Sequence, residues 1–500
     1  MKAFLMYSDF DLDVERPLPW NERALRQDLA LDTLLHAMAR DDTFVLDVAL
    51  KVVLSARGTD PATVLYRQAA VRDGLNNPAV LRDLYQLTVE AVESKRKGYF
   101  GTWGHFPSSV LYGAVELMGM YVGALRRLRG IAHAHAARFT SEAFSRLFAM
   151  VERELAEDYL TEIEAHLAEL KFRRGALISA ELGPGNVGRN YVLRLPPRDE
   201  RGWLRRLLSK APPGYTFRLP DRDESGARML SELRDRGIQF VATALAQSAD
   251  HVESFLQVLR TELAFYVGCL NLHERLAALG APTYFPSPSP AGQRRLRCRG
   301  LYDPCLALQT GRAVVGNSVE ADGKSLVIVT GANQGGKSVF LRSIGVAQLM
   351  MESGMFVGAE SLEGELCTGL VTHYKREEDS TMESGKLDEE LARLSEIVDH
   401  LAPDALVLFN ESFAATNERE GSEIARQVVS ALLEKGIKVF FVTHLHAFAR
   451  GCYERAPEGA LFLRAERLAD GTRTFRLAEG EPLATSHGKD LYERIFAAGP

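Results

Sequence analysis

The sequence predicts an α/β domain with a mostly parallel sheet in its C-terminal half. A mostly α-helical core and lever region, carrying a small, partly β insertion, is expected before it. Three observations support this. Two long apolar stripes at three- and four-residue spacing occupy about 141–172 and 242–276, around a proline-rich stretch at roughly 173–240. Strand-like and helix-like patterns then alternate to about residue 485, the signature of βαβ units. Within that half, Leu326–Val339 reads LVIVTGANQGGKSV, a buried strand, a glycine-rich turn and the start of an apolar-periodic helix.

Composition sets the bounds. Five hundred residues suggest about two to four domains. Hydrophobic content of 46% and charged content of 25% are ordinary for a soluble globular chain. A net charge of −6 gives no bulk attraction for nucleic acid, so any such contact must come from local patches. Cys269, Cys298, Cys305, Cys367 and Cys452 are scattered and lack C-x-x-C spacing. That excludes a disulfide framework or zinc ribbon and suits the reducing cytoplasm. The start, MKAFLMYSDFDLD, turns acidic within ten residues and is no signal peptide. No apolar run reaches the ~18–20 residues of a bilayer span, so no membrane partner is expected.

Residues 1–140 read as a helical core domain. Leu25, Leu29, Leu31, Leu34, Leu35 and Met38 fall near helical spacing, as do Val45, Leu46, Val48, Ala49, Val52 and Val53. Asn77-Pro78 marks a turn and the start of a helix over Ala79–Ser94. Lys95-Arg96-Lys97-Gly98 should break it, as a solvated loop or a phosphate contact.

Residues 141–280 read as a pair of long helices with a small insertion at about 173–240. Phe144, Phe148, Val151, Leu155, Tyr159, Ile163, Leu167 and Leu170 stripe the first helix; Val252, Phe255, Leu259, Leu263, Tyr266 and Leu270 stripe the second. Such stripes would bury each other antiparallel, each helix ~45–55 Å long. The insertion carries Pro184, Pro196, Pro197, Pro212, Pro213 and Pro220 and strand-like pieces at Asn190–Leu195 and Tyr215–Leu219. It is also rich in arginine, from Arg173 to Arg206, with acidic residues interspersed. Trp203 and Tyr215 have two readings, packing on a base or forming a small local core. Residues 281–310, with APTYFPSPSPAG and Arg294, Arg295, Arg297 and Arg299, read as a connector, and 311–500 as the α/β domain.

The Gly331–Ser338 turn is G-x-x-x-x-G-K-S in its required setting, strand before and helix after. Its glycines let several backbone N–H groups aim at one phosphate cluster, and the helix N-terminus adds partial positive charge. Gly331, Ala332, Asn333, Gln334, Gly335, Gly336, Lys337 and Ser338 are therefore candidate nucleotide contacts. Lys337 would reach the β- and γ-phosphates, and Ser338 would ligate Mg²⁺. ATP and Mg²⁺ are the implied cofactors. A second buried strand, Ala405–Phe409, ends in Asn410-Glu411 and is expected beside the first. Asn410 stands where such ATPases carry the Asp that holds Mg²⁺, so its metal contact is uncharged; Glu411 remains as general base. A third strand, Lys438–Thr443, ends in His444, placed to bond the γ-phosphate or attacking water.

The order of these pieces resembles the MutS family of DNA mismatch-repair ATPases, within the ABC-type class. GANQGGKS is similar to the family's G-P-N-M-G-G-K-S, Val315-Gly316-Asn317-Ser318 to its V-P-N-D, Asn410-Glu411 to its Asp-Glu and Thr443-His444 to its T-H. The likeness is strong over about 310–450. Asp28–Met38, Tyr66-Arg67-Gln68 and Asn77-Pro78 are more weakly reminiscent of its core domain, and the long-helix pair over 141–280 with its insertion at about 173–240 resembles its lever pair and clamp. The resemblance implies an ABC-type phosphate-loop ATPase domain, with Asn317 added to the nucleotide contacts and Glu411 and His444 catalytic. It further implies a homodimer with composite ATP sites that switches conformation on DNA. Three departures stand out. Nothing before residue 30 resembles the mismatch-reading domain, so a short form without mismatch reading is expected. The family's S-G-R-S-T aligns with Ser384-Gly385-Lys386-Leu387, putting Leu387 at the trans-acting serine, with Ser384 or Lys386 as substitutes. Asn410 is the third. Two other readings stay open: an ATP-driven switch acting on a protein partner, and a nucleotide binder with little hydrolysis.

Overall fold

The computed structural model describes residues 1–55, 60–97, 106–173, 175–194, 214–220, 222–332, 334–376, 385–455, 458–468 and 472–482. Two compact units emerge: 1–3, 83–137 and 147–260 form one, and 4–82, 138–146 and 261–500 the other. Residues 4–82, assigned from sequence to a separate core domain, thus cluster with the α/β half.

The second unit begins with α1 (Glu22–Asp28), α2 (Leu31–Ala39), α3 (Thr43–Ser55) and α4 (Pro61–Asn76). Asp60 caps α4 by accepting from the Ala62 and Thr63 amides, with Pro61 at the first helical position. Leu25, Leu29, Leu34, Leu35 and Met38, the first stripe read from sequence, are buried.

In the first unit lie most of α5 (Pro78–Lys97), then α6 (Pro107–His135) and most of α7 (Glu142–Glu154), followed by α8 (Glu157–Leu170). α5 runs through the Lys95–Lys97 stretch expected to break it. The single helix expected over 141–172 is broken at Ala156, whose backbone is extended at ψ 144°. Leu155 and Leu160 are both buried, and five residues apart they would face roughly 140° away from each other on one continuous helix. α8 lies along α6, where Arg126 bridges Glu157 at 2.9 Å and Glu164 at 2.6 Å. α6 is long and apolar enough to cross a bilayer by length and composition alone; 56% of that window is buried within the protein, as in a core helix.

The insertion holds an antiparallel hairpin, β1 (Leu177–Leu182) with β2 (Gly188–Arg194), joined through Pro184-Gly185. Residues 215–219, expected as strand, have no regular structure, because β2 takes the nearer 177–182 as partner. Trp203, the basic residues from Arg198 to Lys210, and Pro196, Pro197, Pro212 and Pro213 lie outside the described residues. α9 (Glu224–Ala278) starts well before the expected 242 and, at 55 residues, is ~80 Å long. The early part was not legible because it carries no continuous buried stripe: Ile238 is buried, but Met229 is 66% and Phe240 84% exposed.

The proline-rich connector contains strands. β3 (Ser287–Ser289) and β4 (Leu296–Leu301) join β5 (Asn317–Glu320) and β7 (Ser361–Glu365) in a sheet ordered β3-β7-β4-β5. Between β4 and β5, α10 (Pro304–Thr310) is capped by Asp303 and ends on Gly311 at φ 67°.

The larger sheet is ordered β12-β11-β6-β10-β9-β8, from β6 (Leu326–Thr330), β8 (Leu370–Tyr374), β9 (Leu406–Asn410), β10 (Lys438–Val442), β11 (Ala460–Arg467) and β12 (Arg473–Glu479). All neighbours run parallel except β12 on β11. β10 therefore lies between β6 and β9, correcting the expectation that the Asn410 strand adjoins the glycine-rich loop's own strand. Alternation then assigns the faces. Ile328, Val407, Phe409, Val439 and Phe441 pack beneath α12 (Lys386–Asp399), α13 (Glu418–Glu434) and α14 (His446–Arg455). α11 (Lys337–Glu352) packs on β9 and β10. At Gly345 of α11, an added Cβ would meet Leu29 at 2.7 Å and Leu408 at 2.8 Å.

The loop after α11 turns at Gly354, φ 79°, where an added Cβ would stand 2.4 Å from the Arg67 Cβ. Arg67 is 1% exposed; its Nε donates to the Met6 carbonyl and its guanidinium lies over Tyr7. Gly354→Ala is thus expected to destabilise the protein by roughly 1–3 kcal/mol in denaturant unfolding. Gly369→Ala, with open space around it, should leave the midpoint unchanged.

Candidate functional site

Parallel strands deliver their C-terminal ends to one edge. Here Val329 of β6 is level with Val442 of β10, which is level with Asn410 of β9. The residues that follow, Gly331 onward, Thr443-His444 and Glu411, are brought together there.

The glycine-rich loop leaves β6 at Gly331 (φ 119°), passes Gln334 (φ 61°) and enters α11 through Gly336 (φ 90°). Asn333 lies outside the described residues. The Lys337 ammonium, 4% exposed, donates to the Gly331 and Ala332 carbonyls at 2.9 and 3.0 Å. Burial pulls its pKa below the ordinary lysine value, and the Glu411 charge opposes that. The α11 N-terminus sits on the loop, where orphan amides and the helix dipole favour an anion.

Ser338 donates its hydroxyl to Asn410 Oδ1 at 2.9 Å. Two neighbouring ligands of an octahedral Mg²⁺ stand about 3 Å apart, given bonds of ~2.1 Å. Both atoms are hard oxygens, so the pair fits that ion. Among the described residues no group of three or more His, Cys, Asp or Glu is arranged to hold a metal, so the fit is to an ion that also takes ligand oxygens.

Glu411 accepts from His444 Nε2 at 2.7 Å; both side chains are about 30% exposed. The His444 bond holds the Glu411 carboxyl below its ordinary pKa, with Lys337 and Lys375 adding to the effect against partial burial. The carboxylate is therefore ionised at neutral pH and oriented by a ring nitrogen.

Asn317 stands elsewhere. It is 6% exposed; its amide nitrogen donates to the Phe475 carbonyl at 3.3 Å and its oxygen accepts from the Leu477 amide at 2.7 Å. It ties β5 to β12. Leu387 lies in the first turn of α12, and Ser384 is outside the described residues.

Two sets of residues escaped sequence reasoning. The β11–β12 hairpin packs on the loop: Ala465 lies against Gly331 and Gly335, the Phe475 carbonyl lies against Gly336, and Arg473 bonds the Gln334 side chain at 2.6 Å. Ala465, small amid Phe462, Arg464 and Glu466, was a faint signal; nothing marked Arg473. The second set lies behind Glu411. Ser412 donates to the His373 carbonyl at 2.7 Å, His373 Nδ1 faces Ser412 Oγ at 2.7 Å, and His373 Nε2 faces the Glu390 carbonyl at 3.2 Å. A neutral imidazole carries one proton and cannot satisfy all three contacts at once. Burial, reinforced by Arg393, pushes its pKa down to about 4, so it stays neutral at neutral pH.

Family comparisons divide the chain in two. Residues 59–279 match the MutS2 N-terminal domain, and residues 327–467 match MutS domain V. Chloroflexus aurantiacus DNA mismatch repair protein MutS is 25% identical over 223 residues, 44% of this chain and 23% of the relative. Thermus thermophilus Endonuclease MutS2 is 33% identical over 141 residues, 27% of this chain and 19% of the relative. Shouchella clausii Endonuclease MutS2 is 28% identical over 268 residues, 51% and 34% of the two chains. The matches span between a fifth and about a third of these relatives' lengths.

Because the folded pKa of His373 is lowered to about 4, the unfolded chain binds its proton first. Stability should therefore fall as pH drops from about 6.5 to about 4, and this contribution should flatten below that. Unfolding free energies from urea titrations of wild type and His373→Asn across this window are expected to diverge by up to ~3 kcal/mol, the wild type showing the steeper loss.

Proposed function

The chain belongs to the MutS family, and from that premise we propose that it is an ATP-dependent DNA-binding protein whose ATPase site is the sheet edge around Lys337. The observation that carries this reading is the convergence of a glycine-rich loop, a Ser338–Asn410 oxygen pair and a Glu411–His444 pair at adjoining strand ends. In this reading residues 311–500 form a phosphate-loop domain of the ABC type.

The loop amides and Lys337 hold the β- and γ-phosphates, the ammonium leaving the Gly331 and Ala332 carbonyls for phosphate oxygens. Ser338 and Asn410 hold Mg²⁺, which when bound neutralises charge on the phosphates. Glu411 accepts the proton of the attacking water while His444 fixes its carboxylate. Asn410 brings no charge, so it would hold the ion less strongly than an aspartate at that position. The contacts of Asn317 make it a support for β12 over the loop.

Two chains pairing around two nucleotides would convert nucleotide state into a change of subunit angle, which α9 is long enough to relay. DNA would be held through its backbone, in the cytoplasm, since net charge is slightly negative and binding must rest on local arginines.

Calorimetry with Mg²⁺ and ATP should detect binding that Lys337→Ala weakens at least ~tenfold. Turnover should fall ~10²–10⁴-fold in Glu411→Gln; a wild type no faster than that variant removes hydrolysis from the reading. Binding to linear, mismatched and junction DNA should weaken steeply between two salt concentrations and respond to ATP. Failure on every DNA would instead point to a protein partner.

A further inference from the structure

Behind the candidate base lies a strained turn. Glu411 has φ 56° and Phe413 φ 63°, two left-handed non-glycine residues within three positions. Such conformations persist only where neighbours over-determine them. Here the neighbours are specific. The Phe413 amide donates to Glu390 Oε1 at 2.7 Å. The Ser412 hydroxyl donates to the His373 carbonyl at 2.7 Å. The Phe413 ring is fully buried, stacked 5.7 Å from His373 and tilted against Phe409 and Phe441. Gly421 of α13 gives the Phe413 carbonyl its space, since an added Cβ would stand 2.3 Å from that oxygen.

Glu390 is 7% exposed and lies in the second turn of α12. Among the described residues its carboxylate makes no hydrogen bond to the loop or to Ser338. The Glu390 carboxylate has the charges of Arg393 and Lys375 near it, yet its hydrogen bond goes to a backbone amide, beside the buried Leu394 and Ile397, which is a costly choice for mere packing. Its effect is to fix the peptide two residues beyond Glu411, and hence the direction in which that carboxylate leaves β9.

We propose that Glu390 is a positioning residue for ATP hydrolysis: by clamping the Phe413 amide it holds the 411–413 turn in the form that aims the Glu411 carboxylate at the water beside the γ-phosphate. Ser412 is its second anchor. This rests on the ATPase reading above and adds that α12, through Glu390, sets the geometry of the base. Nucleotide binding uses the loop, Ser338 and Asn410, and among the described residues the Glu390 carboxylate is hydrogen-bonded to none of them.

The test uses the full chain and MgATP. Glu390→Ala, which orphans the Phe413 amide, should lower kcat at least ~tenfold while ATP affinity by calorimetry stays within about twofold, because a base displaced by an ångström loses rate rather than binding. Glu390→Gln, whose amide oxygen can still accept, should restore most of kcat. Ser412→Ala, a milder change that keeps the backbone, should show the same selective loss and carries the test if Glu390→Ala does not fold. Unchanged kcat in Ser412→Ala or Glu390→Ala, or parallel loss of kcat and ATP affinity, overturns the assignment of Glu390 as a positioning residue. A wild type no faster than Glu411→Gln overturns the ATPase reading itself, and the clamp with it.

Discussion

The molecule depends on one constraint: the parallel register of β6, β10 and β9. These strands are apolar on both faces because helices cover both, so they have little freedom to slip. A one-residue shift would exchange Ile328, Phe409 and Phe441 for the opposite face and break both layers. The polar residues that follow each strand inherit that fixity. Ser338 meets Asn410, and Glu411 meets His444, across elements more than thirty residues apart in the chain.

That origin explains what could be read in advance. A run such as LVIVT followed by GANQGGKS announces a buried strand, a phosphate-shaped turn and a helix, because each is a local consequence of residue type. The ends of β9 and β10 were legible for the same reason. Strand order was not: Asn410 was expected next to the loop's strand, yet β10 intervenes, and order is a matter of crossovers rather than of local pattern. Residues acting through backbone contacts were equally hidden. Glu390 and His373 stand in no motif, so nothing in the sequence singled them out. The α9 start and the break at Ala156 were missed where burial and helical spacing part company.

Family and structure complement each other here. The matched segments, 59–279 and 327–467, leave out the 1–55 helices and the β3–β5 strands. Both belong to the same compact unit as the larger sheet. β12, beyond the second match, shapes the loop through Phe475 and reaches Gln334 through Arg473. Segments outside the two matched stretches thus help to shape the loop at the sheet edge.

The first helix has a further bearing. Asp28 of α1 is buried against Arg376 at 2.8 Å, just past the end of β8, and the Asn21 side chain donates to the Leu370 carbonyl at 2.9 Å, at that strand's beginning. Leu29 fills the hollow at Gly345. α1 therefore behaves as an outer stave of the sheet, though some 340 residues of chain separate it from β8. Gene fusions or grafts that carry over only the C-terminal half would leave β8 and α11 bare.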